Sequence, residues 1–496
     1  MTVFKDELKK QASMIKTTNG ANYYSTTDNH VLDFFANIGT LRYVTDGEIM
    51  EKFNLAFIED PLLAMKSLFY ARDIRGGLGE RRVFKTILEY LCKEHKNDLI
   101  ANAENIFEFG RYDDVLDLML MDREMFHIFS KMFFVQIQKD YSNYKNGKPV
   151  SLLAKWLPSN NVFNKPQRVR LARYLGKEWG MTQKHYRKVL AELRKYIDIT
   201  ETHLCEKDYG TIKYDQVPSK AMMKYRQAFA RNDRENFTNY IESVKKGEVK
   251  INSSTVYPYE IFEKMGMNTC HIKREDDVLE QQFNNLPNYV PEDANVLVMA
   301  DTSASMQGRP MAVALSLAVY FADRNKGEFA HSFMTFSSRP SFVELKGNTL
   351  KEKTAHIPSI VDNTDLEKAL LLILEVALNK KLPQEELPNT LLIISDMQFD
   401  CGTYAYRDRN LSFMERIEKA YKDSGYHIPN VIFWNVSANP IGFHAKQDKR
   451  GVQLVSGCSP SIFMSVMNII GKTPYEAMLE ILNSPRYDCI KIAERM

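Results

Sequence analysis

The chain has 496 residues, of which 44% are apolar and 26% are charged, so it is long enough for two to four globular domains. Its 22 Gly and 18 Pro exclude a collagen-like or low-complexity protein. The formal net charge of +3 is too small to indicate a partner, although residues 151–230 carry 16 Lys and Arg against seven Asp and Glu.

Targeting and redox features favour a cytoplasmic location. The six cysteines are spread along the chain without metal-ligand spacing, which is typical of a reducing compartment. The first residues contain no apolar segment of a secretory signal. The longest apolar stretch, 311–322, is too short to span a bilayer. We therefore expect a cytoplasmic protein that does not bind membranes.

The first half of the chain shows one amphipathic helical pattern after another. A helix is predicted after Asp60 and Pro61, which supply an N-cap and a first-turn proline. Apolar residues recur at helical spacing in 186–197, and Asp233 is predicted to cap a further helix. Because no clear strand pattern occurs, we predict an all-α array, either an α-solenoid of HEAT-like repeats or an irregular helical array without a strict sequence period. Residues 250–292 are predicted to be the connecting segment.

The pattern changes after residue 290, so we divide the chain into regions 1–290 and 291–496. Short apolar runs alternate with helical patterns in the second region, which predicts an α/β, Rossmann-like, doubly wound parallel sheet. Such sheets bind ligands at the carboxyl ends of their strands. The predicted strands are 296–300, 329–336, 390–394 and 431–436, and the predicted helices are 310–323, 366–378 and 414–421.

Three loops at these carboxyl ends carry hard oxygen ligands, which suit Mg²⁺. Asp301, Ser303 and Ser305 form a D-x-S-x-S motif after the first strand, Thr364 precedes a helix, and Asp396 follows a later strand. The motif alone is also compatible with a helix N-cap loop. The order of the three loops favours a divalent-cation site, with Mg²⁺ as the expected ion. Because such a site has few carboxylates, we expect a partner protein to donate an acidic side chain to it.

The same segments resemble a known family. VLVMADTSASM, NTDLEKAL and LLIISD are similar to the von Willebrand factor A domain and its metal-ion-dependent adhesion site, over about 290–496. The resemblance implies that Ser303, Ser305 and Thr364 offer hydroxyls to the ion. It also implies that Asp301 and Asp396 bind the ion directly or through water.

The helical region resembles a poorly characterised family found in plants, large DNA viruses and some microbes. The similar segments are DPLLAMKSLFYARDIRGGLGERRVF, FGRYDDVLDL, LLAKWLPS, HYRKVLAELRKYIDI and VPSKAMMKYRQAF. The layout of that family is similar to the TROVE module of the Ro autoantigen, a ring of helical repeats. The resemblance implies binding of small noncoding or misfolded RNA, as in a ribonucleoprotein.

A cluster of basic residues gives local support for RNA binding. Phosphate binding needs such charges on one face of the protein, and exposed tyrosines can stack on unpaired bases. The alternative is a solvated helix face above core tyrosines, and periodicity places Tyr186 in the core. The candidate RNA-binding residues are Arg168, Arg170, Arg173, Lys184, Arg187, Lys188, Lys195, Lys220 and Lys224.

Other motifs are interpreted as structural, and we do not expect an enzyme. The Gly-rich segment 75–81 matches no phosphate loop and is predicted to be a turn between helices. Nucleophile–base motifs of hydrolases and metalloproteases do not occur in the sequence. We therefore expect a Ro-like RNA-binding protein with a divalent-cation site for a second partner. The alternative is a cation-dependent protein-interaction module or a structural module that does not bind nucleic acid. One form of this alternative is a structural role in a virus.

Overall fold

A computed structural model describes two compact units, each formed by segments from distant parts of the chain. The predicted regions 1–290 and 291–496 were defined by the change of pattern along the sequence. The two units are defined by contacts in space, so their boundaries differ from those of the predicted regions. The described residues are 12–160, 165–267, 269–336, 339–358, 364–400, 411–437, 442–467 and 470–494. The sheet unit comprises Met1–Ala71, Arg75–Val83 and Ser253–Asp488, and the helical unit comprises Arg72–Ile74, Phe84–Asn252 and Cys489–Met496.

The helical character of the N-terminal region is confirmed among its described residues, apart from one short hairpin. The hairpin strands have only three residues each, below the four to eight over which alternation becomes recognisable. In chain order the elements are β1 (Met14–Lys16), β2 (Asn22–Tyr24), α1 (His30–Asn37), α2 (Asp46–Glu59), α3 (Pro61–Arg72), α4 (Arg81–Glu94), α5 (Lys96–Ala101), α6 (Asn105–Phe109), α7 (Leu118–Met121), α8 (Arg123–Lys145), α9 (Leu153–Trp156), α10 (Pro166–Glu178), α11 (Gln183–Tyr196), α12 (Thr200–Glu206), α13 (Ser219–Asn232), α14 (Arg234–Lys245), α15 (Pro258–Lys264) and α16 (Asp277–Asn284).

One predicted helix cap is confirmed and a second one differs. Asp60 accepts a hydrogen bond from the Leu63 amide at 2.9 Å, which satisfies a free N–H group in the first turn of α3. Asp233 stands at the N-cap position of α14, but its side chain does not cap the helix backbone. Instead it accepts hydrogen bonds from the Tyr214 hydroxyl and the Asn236 amide, both at 2.8 Å.

The described part of the C-terminal region forms a six-stranded mixed sheet with helices between the strands. Its strand order is β5-β4-β3-β6-β7-β8, with β5 antiparallel to β4 and the other neighbours parallel. The elements are β3 (Val296–Asp301), α17 (Arg309–Arg324), β4 (Ser332–Phe336), β5 (Ser341–Glu344), α18 (Leu350–Ala355), α19 (Leu366–Lys380), β6 (Thr390–Ser395), α20 (Phe413–Asp423), β7 (Asn430–Asn435), β8 (Val452–Ser456), α21 (Ser461–Met467) and α22 (Pro474–Leu482).

The expectation of a wholly parallel sheet was wrong at one edge. β5 follows β4 closely in the chain and pairs with it as a hairpin, and an antiparallel edge strand is common on parallel sheets. Because β5 has only four residues and lies at the edge, half of its side chains are exposed. The sequence therefore gave no long apolar run from which to predict it.

Helices cover both faces of the sheet. Leu297 of β3 and Phe433 of β7 belong to a core that includes the buried sides of α19 and α20. Successive side chains of a strand point to opposite faces. Accordingly Trp434, the neighbour of Phe433, lies on the other face, where its ring centre is 5.9 Å from that of Phe321 in α17. Among the described residues, no helix has the length and apolar character needed to cross a membrane.

The sheet order places the candidate site at its centre. From β3 the chain proceeds to β4 and β5 on one side, and then returns to β6 on the other side of β3. The carboxyl ends of β3 and β6 therefore form a topological switch point, where open α/β sheets bind their ligands. Asp301 ends β3, and Asp396 directly follows β6.

Candidate metal site and basic surface

The end of β3 holds a carboxylate that is completely buried. Asp301 has no solvent-exposed surface. One of its oxygens accepts a hydrogen bond from the Ser303 amide at 2.9 Å, and the other accepts one from the Ser395 hydroxyl at 2.6 Å. These two bonds fix the plane of the carboxylate at the edge of the sheet.

The end of β6 brings a second buried carboxylate beside the first. Asp396 is also fully buried, and one of its oxygens accepts a hydrogen bond from the Gln398 amide at 3.0 Å. Burial, with a smaller contribution from the negative charge of Asp396, raises the pKa of Asp301 to about 6. The neighbouring Met397 has a left-handed φ of 65°, which is costly for a residue with a side chain. The loop that holds this pair therefore contains both backbone strain and like-charge repulsion.

The predicted hydroxyl ligands lie in two loops, one after β3 and one before α19. The Ser303 and Ser305 hydroxyl oxygens are 3.1 Å apart; Ser303 is buried and Ser305 is exposed. Thr364 is buried, and its backbone exchanges hydrogen bonds with Asp400, at 2.7 Å to the Asp400 carboxylate and 2.9 Å from the Asp400 amide. Thr364 is therefore joined to the segment that follows β6, only four residues after Asp396.

The donor set fits a small divalent cation. Two carboxylates and several hydroxyls are hard oxygen ligands, and a dication between Asp301 and Asp396 would relieve their repulsion. Among the described residues, no three His, Cys, Asp or Glu side chains gather into a metal-binding group. The predicted set does not need such a group, because Ser303, Ser305 and Thr364 supply hydroxyl oxygens.

Two supporting residues, Gln398 and Asp400, were missed by the sequence reasoning, and the role of a third, Ser395 at the end of the LLIISD segment, was not recognised. Ser395 links the two strands, since its hydroxyl donates to Asp301 and accepts a hydrogen bond from the Met397 amide at 2.9 Å. Gln398 and Asp400 hold Asp396 and Thr364, as described above. A polar residue at the end of an apolar strand was the available signal for Ser395, but a single sequence does not indicate its partner.

The basic surface predicted on the helical unit is largely exposed. Arg168 differs from the others, because it is partly buried and donates a hydrogen bond to Asp117 at 2.7 Å. Tyr174 is half exposed, and the Arg170 guanidinium lies 5.9 Å from the centre of its ring. The eight exposed residues, called the basic surface below, are Arg170, Arg173, Lys184, Arg187, Lys188, Lys195, Lys220 and Lys224.

Two structural interpretations of the sequence are confirmed. Tyr186 is buried, and its hydroxyl donates to the Pro158 carbonyl at 2.9 Å, so it is a core residue. The segment Arg75–Glu80 forms the predicted turn between α3 and α4, where the Leu78 amide donates to the Tyr70 carbonyl at 3.1 Å.

Comparisons with known proteins give similarity over almost the whole chain. Residues 295–481 match a family model described as a domain of unknown function (DUF7788), and residues 17–122 and 176–294 match a second domain of unknown function (DUF2828). The chain is also 28% identical over 513 residues to Uncharacterized protein L728 of Acanthamoeba polyphaga mimivirus, covering 95% of this chain and 87% of that protein.

These similarities agree with the predicted resemblance to a poorly characterised family that has members in large DNA viruses. The chain resembles proteins of unknown function, one of them from a large DNA virus. Neither matching model is a von Willebrand factor A or TROVE model, so those two resemblances stay predictions. The match over 295–481 contains both Asp301 and Asp396.

A buried histidine near the site predicts acid sensitivity. His444 is buried among Phe399 and Phe433, and burial lowers its pKa to about 4. Because the folded state favours the neutral ring, the penalty appears as pH falls below about 6.5 and is complete below about 4. Between pH 7 and pH 5 we expect a loss of about 2 kcal/mol of unfolding free energy from this group.

Urea unfolding of the full chain at both pH values measures this effect, with His444→Phe as the non-titrating control. The variant should keep about 2 kcal/mol more of its pH 7 stability at pH 5 than the unmodified protein does. Equal losses in the two proteins would show that His444 does not cause the acid sensitivity.

Proposed function

We propose that the sheet unit is a divalent-cation-dependent binding module that captures an acidic side chain of a partner protein. The observation that carries this proposal is the pair of fully buried carboxylates, Asp301 and Asp396, at the switch point of the sheet. Two like charges buried together are unfavourable, and a cation between them would add to the compensation that their hydrogen bonds provide.

The exposure of the donors indicates where a ligand would approach. Asp301, Asp396 and Thr364 are buried, whereas Ser305 is open to solvent. When bound, a divalent cation supplies positive charge and a coordination position for an oxygen from the partner. The chain's own residues supply two carboxylates at this site, and hydroxyls add oxygen donors without adding negative charge, so the ion can still bind a further carboxylate. A carboxylate from a partner therefore complements the site on its Ser305 side.

Titration with Mn²⁺ tests the proposal. We expect one Mn²⁺ per chain, displaced by Mg²⁺, and enhanced water-proton relaxation, which reports water in an open coordination position. Acetate should reduce this enhancement by replacing the water. A protein that does not bind Mn²⁺ or Mg²⁺ would rule out the proposed module.

A second candidate function is RNA binding by the helical unit. The observation in its favour is the exposure of eight predicted basic residues on α10, α11 and α13, in a segment rich in Lys and Arg. Exposed cations on neighbouring helices can neutralise phosphates, and the half-exposed Tyr174 offers a stacking surface. The two functions are compatible because they use different units.

The absorbance ratio at 260 and 280 nm of protein purified at low salt tests this second candidate. RNA that copurifies, dissociates at high salt and is digested by ribonuclease would support it. A protein-only spectrum, together with binding to RNA no tighter than to heparin, would leave the basic residues as a solvated surface.

A further inference from the structure

The turn of the β1–β2 hairpin is hydrogen-bonded to the segment that follows β6. The Thr17 hydroxyl donates to the Phe399 carbonyl at 2.7 Å. The Thr18 amide donates to the Gln398 side-chain oxygen at 2.8 Å, and the Asn19 side chain donates to the Gln398 carbonyl at 2.7 Å. Three successive residues of the turn thus bond to two successive residues at the candidate site.

The second strand of the hairpin is attached at another point of the same unit. Tyr24 and Phe443 exchange two backbone hydrogen bonds of 2.8 Å as an isolated antiparallel bridge. Tyr23 packs so closely against Gly442 that a Cβ atom there would lie 1.4 Å from the tyrosine ring. The hairpin is therefore held at both its turn and its second strand, which fixes its position over the end of β6.

The segment held by the hairpin also supports two predicted metal ligands. The Gln398 amide donates to the Asp396 carboxylate, and Asp400 exchanges hydrogen bonds with the backbone of Thr364. Asp400 also forms an isolated bridge with Gly20 of the hairpin turn. The hairpin thus contacts the residues that orient Asp396 and Thr364.

We propose that the hairpin is a positioning element of the cation site and that its docking is coupled to cation binding. This inference rests on the proposed cation-binding function. Without the turn, the buried Phe399 carbonyl loses its donor, and residues 396–400 become freer to move. Cation binding must then order this loop, and the free-energy cost of the ordering lowers the affinity for the cation. Coupling is reciprocal, so the cation must stabilise hairpin docking by the same factor.

A matched pair of variants at Thr17 tests the proposal. Thr17→Val keeps the shape of the buried side chain but removes its hydroxyl, whereas Thr17→Ser keeps the hydroxyl. We expect Thr17→Val to weaken Mn²⁺ binding about tenfold and Thr17→Ser to bind within about twofold of the unmodified protein. Asn19→Ala at an exposed position should also weaken binding, and it provides a second test if Thr17→Val does not fold.

Hydrogen exchange supplies a readout of the hairpin itself. Saturating Mg²⁺ should slow amide exchange in peptides covering 13–25 of the unmodified protein, and should not do so in Asp301→Ala. If the unmodified protein binds Mn²⁺ and the folded variants bind it equally well, the positioning role is wrong while the cation site stands. If the unmodified protein binds neither ion, the proposed function itself fails, and the coupling fails with it.

Discussion

Replacing Asp301 with alanine is expected to weaken Mn²⁺ binding by at least about 100-fold. Even residues that only support metal ligands change affinity by about 10- to 100-fold, and Asp301 is predicted to be a ligand. Its carboxylate is fully buried and is held by Ser303 and Ser395. Because the position is buried, we do not expect an acidic side chain from the surface to take the place of this carboxylate in the variant. Isothermal titration with Mn²⁺ measures the loss.

The control for this prediction is Asp293→Ala. Asp293 is exposed and precedes β3, so its removal changes the net charge equally without touching the buried pair. Mg²⁺ should also raise the melting temperature of the unmodified protein and of the control, because an ion that binds the folded state stabilises it. It should not raise the melting temperature of Asp301→Ala, because this variant lacks a ligand of the ion. If Asp301→Ala binds Mn²⁺ as tightly as the control does, the ion is held elsewhere.

The central part of the candidate site could be predicted because its residues directly follow buried strands. All six residues of β3 and all six of β6 are buried, and both strands appear in the sequence as apolar runs. Parallel strands bring their carboxyl ends to one edge, so the ends of the runs place Asp301 near Asp396. The sequence pattern therefore predicted where the pair lies, and the cation that the pair would bind stays a prediction.

The hairpin could not be predicted, for two physical reasons. Strands of three residues show no usable alternation, and their stability comes from contacts with the rest of the sheet unit. Its contacts join Thr17 to Phe399, which are 382 positions apart, and a single sequence carries no signal for such a pair. β8 was also missed, because the polar Gln453 interrupts its short apolar run even though the strand is buried.

Neutralising three basic residues of α11 is expected to weaken RNA binding by roughly 10- to 100-fold at low salt. Lys184, Arg187 and Lys188 lie three and four positions apart, so they share one side of the helix, and all three are exposed. If each contacts one phosphate of a single strand, their replacement by alanine should make the salt dependence of log K shallower by about 2. Fluorescence anisotropy with a labelled single-stranded RNA, measured over a salt series, gives both quantities.

The salt slope distinguishes phosphate contact from a general effect of charge. A control with Lys131, Lys139 and Lys148 replaced by alanine removes three other exposed charges from the helical unit. Long-range attraction would respond similarly to both triple variants, whereas phosphate contact by α11 changes the slope only for the α11 variant. If the α11 variant has the same slope as the unmodified protein, α11 does not contact the RNA. In that case the solvated-surface interpretation holds for this helix, and cation-dependent protein binding remains as the proposed function.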